Sequence, residues 1–95
     1  MYGSIFSLDI KPGHHEEFLK ELTQEQTNPA GMVALFVMNP DEKDEWIGVA
    51  VFENKEAYVA NSQSTEQHER FLKMMAHLDS EPKWTDGTYV LSEIN

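Results

Sequence analysis

The sequence predicts an α+β domain in which helices cover one face of a four-stranded antiparallel sheet, and three observations point there. The chain opens with a period-2 alternation of polar and apolar residues. Two unbroken apolar segments, Met32–Met38 and Trp46–Phe52, flank a short acidic loop. Between and after these extended segments lie stretches whose apolar residues recur at helical spacing. The loop Asn39–Glu45 is too short for a crossover, so the two apolar segments pair as an antiparallel hairpin. A hairpin with one wetted face alternates apolar with polar residues, and this one offers no polar face. Both sides of its sheet must therefore be covered.

In the first extended segment, Tyr2, Ser4, Phe6, Leu8 and Ile10 lie on one side, with Gly3, Ile5, Ser7 and Asp9 on the other. Lys11-Pro12-Gly13 breaks the strand. From His14 to Gln26, Phe18, Leu19 and Leu22 keep helical spacing, and Glu16 and Glu17 suit the positive end of the helix dipole. This helix is expected to end near Asn28-Pro29. After the hairpin, Asn54 can cap a short helix through Asn61. Ser64-x-x-Gln67 has the form of a capping box opening a longer helix to about Leu78, with Phe71, Leu72, Met74, Met75 and Leu78 on its apolar face. Asp79-Ser80-Glu81-Pro82 stops that helix. Trp84 to Ile94 reads as the last strand, with a turn or bulge at Asp86-Gly87. The order is βαββαβ, a ferredoxin-like split βαβ arrangement that places both main helices on one sheet face and leaves the other for a second chain.

Composition narrows the function classes. Ninety-five residues fit one domain, 1–95, at a size where burying surface in a partner becomes valuable. Seven Lys and Arg against seventeen Asp and Glu give a net charge of −10, which repels a phosphate backbone, so nucleic acid and anionic membrane are poor partners. The sequence has no cysteine, hence no disulfide, thiol nucleophile or thiolate metal site. No apolar run would span a bilayer, and Met1–Ile10 lacks the basic start of a signal peptide, so a cytoplasmic location is expected.

Several segments together resemble the antibiotic biosynthesis monooxygenase-like family of dimeric α+β barrels. They are Lys11-Pro12-Gly13 followed by Glu16-Glu17-Phe18, the hairpin end Val51-Phe52-Glu53, the stretch Ser64-Thr65-Glu66-Gln67-His68-Glu69-Arg70-Phe71, and Pro82-Lys83-Trp84-Thr85-Asp86-Gly87. The resemblance implies two ferredoxin-like subunits whose sheets close into a barrel, each subunit with a pocket between sheet and helices. Some members of that family oxidise polycyclic phenolic substrates with dioxygen and no bound metal or flavin, others degrade haem, and many have no known substrate. Haem-degrading relatives use an Asn, a Trp and a His at places that fall on Ser7, Asn61 and Phe71 here. All three differ, which argues against haem degradation. The expected function is thus a cofactor-independent monooxygenase acting on a small aromatic or quinone-like molecule, with no metal and no bound cofactor. The alternative is a non-catalytic dimer that binds a small ligand or a partner protein.

Within that frame, His68 lies three residues before Phe71 and seven before Met75, on the apolar face of the long helix. An imidazole, with a reference pKa of about 6.5, can take a proton from an acidic phenol or activated methylene near neutral pH. The competing reading of His68 is a half-exposed first-turn residue bonded to backbone. Tyr58 and Asn61, three apart on the short helix, can donate hydrogen bonds to a phenolate or carbonyl, although Asn61 is equally suited to ending a helix. Trp46, Trp84 and Tyr2 are candidate walls of a flat pocket, or else ordinary core and interface residues. His14 and His15 are adjacent and face apart, and His68 and His77 fall on opposite helix faces, so neither pair is expected to chelate an ion. The acidic loop Asp41–Glu45 lacks the spacing of a calcium site and reads as a solvated hairpin tip.

Overall fold

The computed structural model describes residues 1–24 and 29–95. In chain order the elements are β1 (Tyr2–Leu8), α1 (His15–Gln24), β2 (Met32–Met38), β3 (Trp46–Phe52), α2 (Lys55–Ser62), α3 (Thr65–Met75) and β4 (Trp84–Thr88). The strands form one antiparallel sheet in the order β2-β3-β1-β4. The expected continuation of α1 through Gln26 and its end at Asn28 lie outside the described residues. Among the described residues, no helix is long and apolar enough to cross a membrane.

Register explains how the two faces differ. Phe6 stands opposite Gly48 on β3 and Trp84 on β4, and Gly48 stands opposite Val37 on β2. This row belongs to the helix-covered face, where Phe6, Leu8, Trp46, Ala50 and Phe52 join Phe18, Ile10 and Leu78 in the core. A Cβ at Gly48 would overlap the Phe6 ring, so glycine there lets the ring lie flat on the sheet. The neighbouring row, Thr85, Ile5, Val49 and Phe36, faces the other way. No element of the described chain covers that row or the next one, Ser7–Ile47–Met38. Phe36 is 63 % exposed, Met38 54 % and Ile5 46 %. The two-faced apolar sheet expected from the hairpin is therefore present, with one face bare in the single chain.

Four details depart from expectation. Regular strand pairing of β1 stops at Leu8, and Ile10 makes an isolated bridge with Leu78 instead. The last strand ends at Thr88 rather than Ile94: Thr88 pairs with Tyr2, where β1 begins, and the Tyr89 amide still donates to the Met1 carbonyl at 2.9 Å before regular pairing stops. Val90, Leu91 and Ile94 are accordingly exposed. No bulge occurs at Asp86-Gly87, where the β1–β4 register is continuous; the irregularity lies between Met32 and Ala34 on β2. Leu72, expected on the apolar face of α3, is 56 % exposed, because the half-buried stripe follows Phe71, Met74 and Met75 instead.

Candidate functional site

Two helix caps set the position of the site's polar groups. The Asn54 side chain accepts from the Ala57 amide at 2.9 Å and starts α2. Ser64 starts α3 by accepting from the Gln67 amide at 3.1 Å, while its hydroxyl donates back to the Asn61 carbonyl at 2.8 Å. The second pair of bonds ties the end of α2 to the start of α3 and so holds Asn61, Gln67 and His68 at one corner. Phe71 and Met74 follow along α3, and Phe18 and Leu22 project from α1 toward the same space.

Between these helices and the sheet lies a cleft of about 720 Å³. Its floor is the sheet face carrying Phe6, Phe52, Leu35, Val37 and Trp84, with the Phe6 and Trp84 rings 4.6 Å apart. Tyr58, Asn61, Gln67, His68 and Asp86 supply polar groups to its lining, and Glu21, Arg70 and Lys73 stand at it as further charged residues. This is the composition expected of a small-molecule site, mostly apolar and aromatic with a few polar groups to fix orientation.

Of the sequence-derived candidates, the structure brings His68, Asn61, Tyr58 and Trp84 together around this cleft. Tyr2 does not line it; its ring meets Tyr58 edge-on at 5.4 Å and supports that side chain from behind. Trp46 is also elsewhere. It is buried between His15, 5.1 Å away, and Phe18, 6.3 Å away, and packs the far end of the core.

The sequence suggests a turn or bulge at Asp86-Gly87, because Asp-Gly is a strong turn signal. In the structure Asp86 is a regular strand residue on the cleft side of β4, opposite Ser4. The Tyr58 hydroxyl donates to its carboxylate at 2.9 Å, joining α2 to β4. Its spacing of two from Trp84 was the available sign that both share a face. Gln67 was assigned only a capping role, yet its side chain also reaches the cleft.

Burial, and then the bond to Asp86, push the Tyr58 phenol up to about 12; the nearby Ser4 hydroxyl acts in the opposite direction. Tyr58 is therefore a neutral donor near neutral pH and cannot serve as a base there. The other described lining residues with a group that can accept a proton are His68, Asp86 and Glu21. Because the folded-state value lies above the unfolded one, the stabilising effect of neutral Tyr58 is complete below about 10 and is lost as pH rises toward about 12. Ultraviolet titration of phenolate should show a component near pH 12 that is lost in Tyr58→Phe, while Tyr89, raised by its own burial, still ionises above the ordinary value. Ionisation of all three tyrosines near pH 10 would contradict this environment.

Residues 1–74 match the antibiotic biosynthesis monooxygenase family, and the chain belongs to that family. Among curated proteins none matches the sequence significantly. Solved structures of similar fold include SnoaB, a cofactor-independent oxygenase from Streptomyces nogalater, at 13% identity and TM-score 0.80, covering 96% of this chain and 94% of that one. A monooxygenase from Streptomyces coelicolor, solved with the ligand nanaomycin D, is similar at 13% identity and TM-score 0.79, covering 99% and 91%. A conserved protein from Methanosarcina mazei is similar at 17% identity and TM-score 0.77, covering 90% and 89%. At these identities the likeness establishes the shared ferredoxin-like fold.

Proposed function

We propose that this protein is a cofactor-independent monooxygenase that binds a small aromatic or quinone-like molecule in the cleft and oxidises it with dioxygen. The observation that carries the reading is the cleft itself: an aromatic floor of Phe6, Phe52 and Trp84 beside a polar group that can take a proton and others that can donate hydrogen bonds. Membership of a monooxygenase family supports the reaction class.

On this reading His68 accepts a proton from an activated methylene or phenol of the substrate. Asn61 and Gln67 donate hydrogen bonds to the oxygen on which negative charge develops. Tyr58 steadies the Asp86 carboxylate and the α2 side of the cleft. The electron-rich carbanion then gives electrons to dioxygen and a carbon–oxygen bond forms. When a methylene is the reacting group, one oxygen atom ends as the product carbonyl and the other leaves as water with the two methylene hydrogens. The substrate carbon is oxidised and dioxygen is the only oxidant required.

The bare sheet face fits a second copy of the chain. Ile5, Phe36 and Met38 form an exposed apolar band with Ile47, Val49 and Val51, and a face-to-face homodimer would bury it. The working protein on this reading is a dimer with one cleft per subunit.

The test is a screen of the purified protein against phenols, anthrones, quinols and haem, reading both oxygen consumption and ligand-induced thermal shift. Saturable oxygen uptake with an anthrone or quinol supports the proposal. Thermal shift without oxygen uptake across the panel would instead favour the non-catalytic ligand-binding reading. Activity confined to haem would overturn the assigned substrate class.

A further inference from the structure

A second cluster of chemistry-bearing side chains, which meets the cleft lining only at Glu21, lies where the turn before α1 meets the chain following α3. The turn Lys11-Pro12-Gly13, with Gly13 at φ 84°, delivers His14 to the start of α1. His14, Glu17 and Glu21 then follow at a spacing of three and four, along one side of the helix. His77 comes from just beyond α3 and is held against them by its backbone: its carbonyl accepts from the Lys11 amide at 2.9 Å, and the Ile10–Leu78 bridge closes beside it. His77 is buried, its side chain 11 % exposed, and its ring packs edge-on to Phe18.

The donor atoms of His14, Glu17 and His77 all lie within 4.8 Å of one another. The Nδ1 atoms of His14 and His77 are 3.1 Å apart. Two nitrogens bound to one tetrahedral zinc at about 2.0–2.1 Å would stand about 3.3 Å apart, so the imidazoles already have nearly that separation. Glu21 completes the arrangement from the other side. Its carboxylate lies 3.3 Å from His77 Nε2, which places the proton of neutral His77 on that nitrogen and leaves the Nδ1 lone pair facing His14 and Glu17. A carboxylate behind a histidine in this way fixes the ring and raises its basicity as a ligand. The net charge of −10 further favours a cation.

We propose that His14, Glu17 and His77 bind a divalent first-row transition-metal ion, with zinc as the probe, and that Glu21 orients His77 for it. Two imidazoles and a carboxylate suit such an ion better than calcium or magnesium, which prefer all-oxygen sites. None of the three ligands lines the cleft, so the ion acts as a staple between the start of α1 and the end of α3 rather than as a participant in oxidation.

The test uses untagged protein stripped with chelator and titrated with zinc chloride by calorimetry. One ion per chain should bind, and the melting temperature should rise with zinc. His14→Ala and Glu17→Gln should each weaken binding by at least about tenfold, and Glu21→Gln by about 10–100-fold as an orienting partner. His15→Ala is the control, since that ring faces Trp46 and should leave zinc affinity unchanged. Melting curves without zinc establish that each variant folds. Cobalt(II) gives a second readout, a ligand-field spectrum present in the parent protein and absent in His14→Ala. No saturable binding, or an equal loss in His15→Ala and His14→Ala, would overturn the site.

Discussion

Phe36→Asp should convert the protein from a dimer to a monomer across the micromolar range. Phe36 is the most exposed apolar residue of the sheet and sits in the row Ile5–Val49–Phe36 on the uncovered face. In a face-to-face dimer each copy contributes this residue, so the substitution buries two carboxylates without partners. The penalty for burying an unpaired ion is several kcal/mol, and each 1.4 kcal/mol is about tenfold in dissociation constant. The constant should therefore rise by roughly a thousandfold or more. Sedimentation velocity reads the outcome directly. Leu72→Asp provides the control, because that side chain is exposed on α3, away from the sheet face, and should leave the dimer intact. A dimer that survives Phe36→Asp would place the interface elsewhere.

His68→Ala should lower turnover of an oxidised substrate by about 10²–10⁴-fold, the usual contribution of a positioned general base. His68 lines the cleft from the first turn of α3 and is otherwise exposed, so its removal should leave the melting temperature nearly unchanged. The loss should fall on kcat more than on KM, since proton removal belongs to the chemical step. A pH profile distinguishes the base from a mere contact: the rise in rate with pH that reports an essential base should disappear in the variant. Asp86→Asn is the informative companion. If it abolishes turnover while His68→Ala does not, Asp86 is the base and the proton path runs through the Tyr58–Asp86 pair.

The sheet was the most legible part of the molecule, for a physical reason. Antiparallel pairing across a short loop is a local constraint, and a side-chain period of two assigns every residue of Met32–Met38 and Trp46–Phe52 to a face, apart from the irregularity after Met32. The caps at Asn54 and Ser64 were legible in the same way, since each bonds to an amide three residues along the chain. Long-range partnerships were not. Adjacency to His15, which faces elsewhere, gives His14 no partner in the sequence, whereas in the structure its ring nitrogen meets that of His77, 63 positions away. No local pattern carries that pairing; it follows from the turn at Gly13 and the bridge Ile10–Leu78.

The end of the chain shows the converse failure. The apolar pattern through Ile94 suggested a longer strand, yet a strand needs a partner as well as a pattern. Having paired with Tyr2, β4 reaches the beginning of β1, and after the Tyr89–Met1 backbone bond the residues Val90, Leu91 and Ile94 are exposed and in no strand among the described residues. Asp86 failed for a related reason. Its Asp-Gly dipeptide carries turn propensity, but five consecutive pairs with β1 override it and turn the carboxylate into the cleft. Trp46, by contrast, was suited by composition to either a pocket wall or a core. The neighbouring rings of His15 and Phe18 decide its place, and those neighbours are set by tertiary packing alone.

The claim that the cleft is where an aromatic substrate meets dioxygen is tested most directly by filling it. Leu35 lines the floor and is 46 % exposed, so Leu35→Trp adds bulk to the cavity with little demand on the core. Oxygen consumption with a substrate from the screen should fall to the uncatalysed rate in this variant, and the ligand-induced thermal shift should vanish, while its ligand-free melting temperature and dimerisation stay close to those of the parent. Undiminished oxygen consumption in a folded Leu35→Trp protein would contradict the account and place the chemistry outside the cleft.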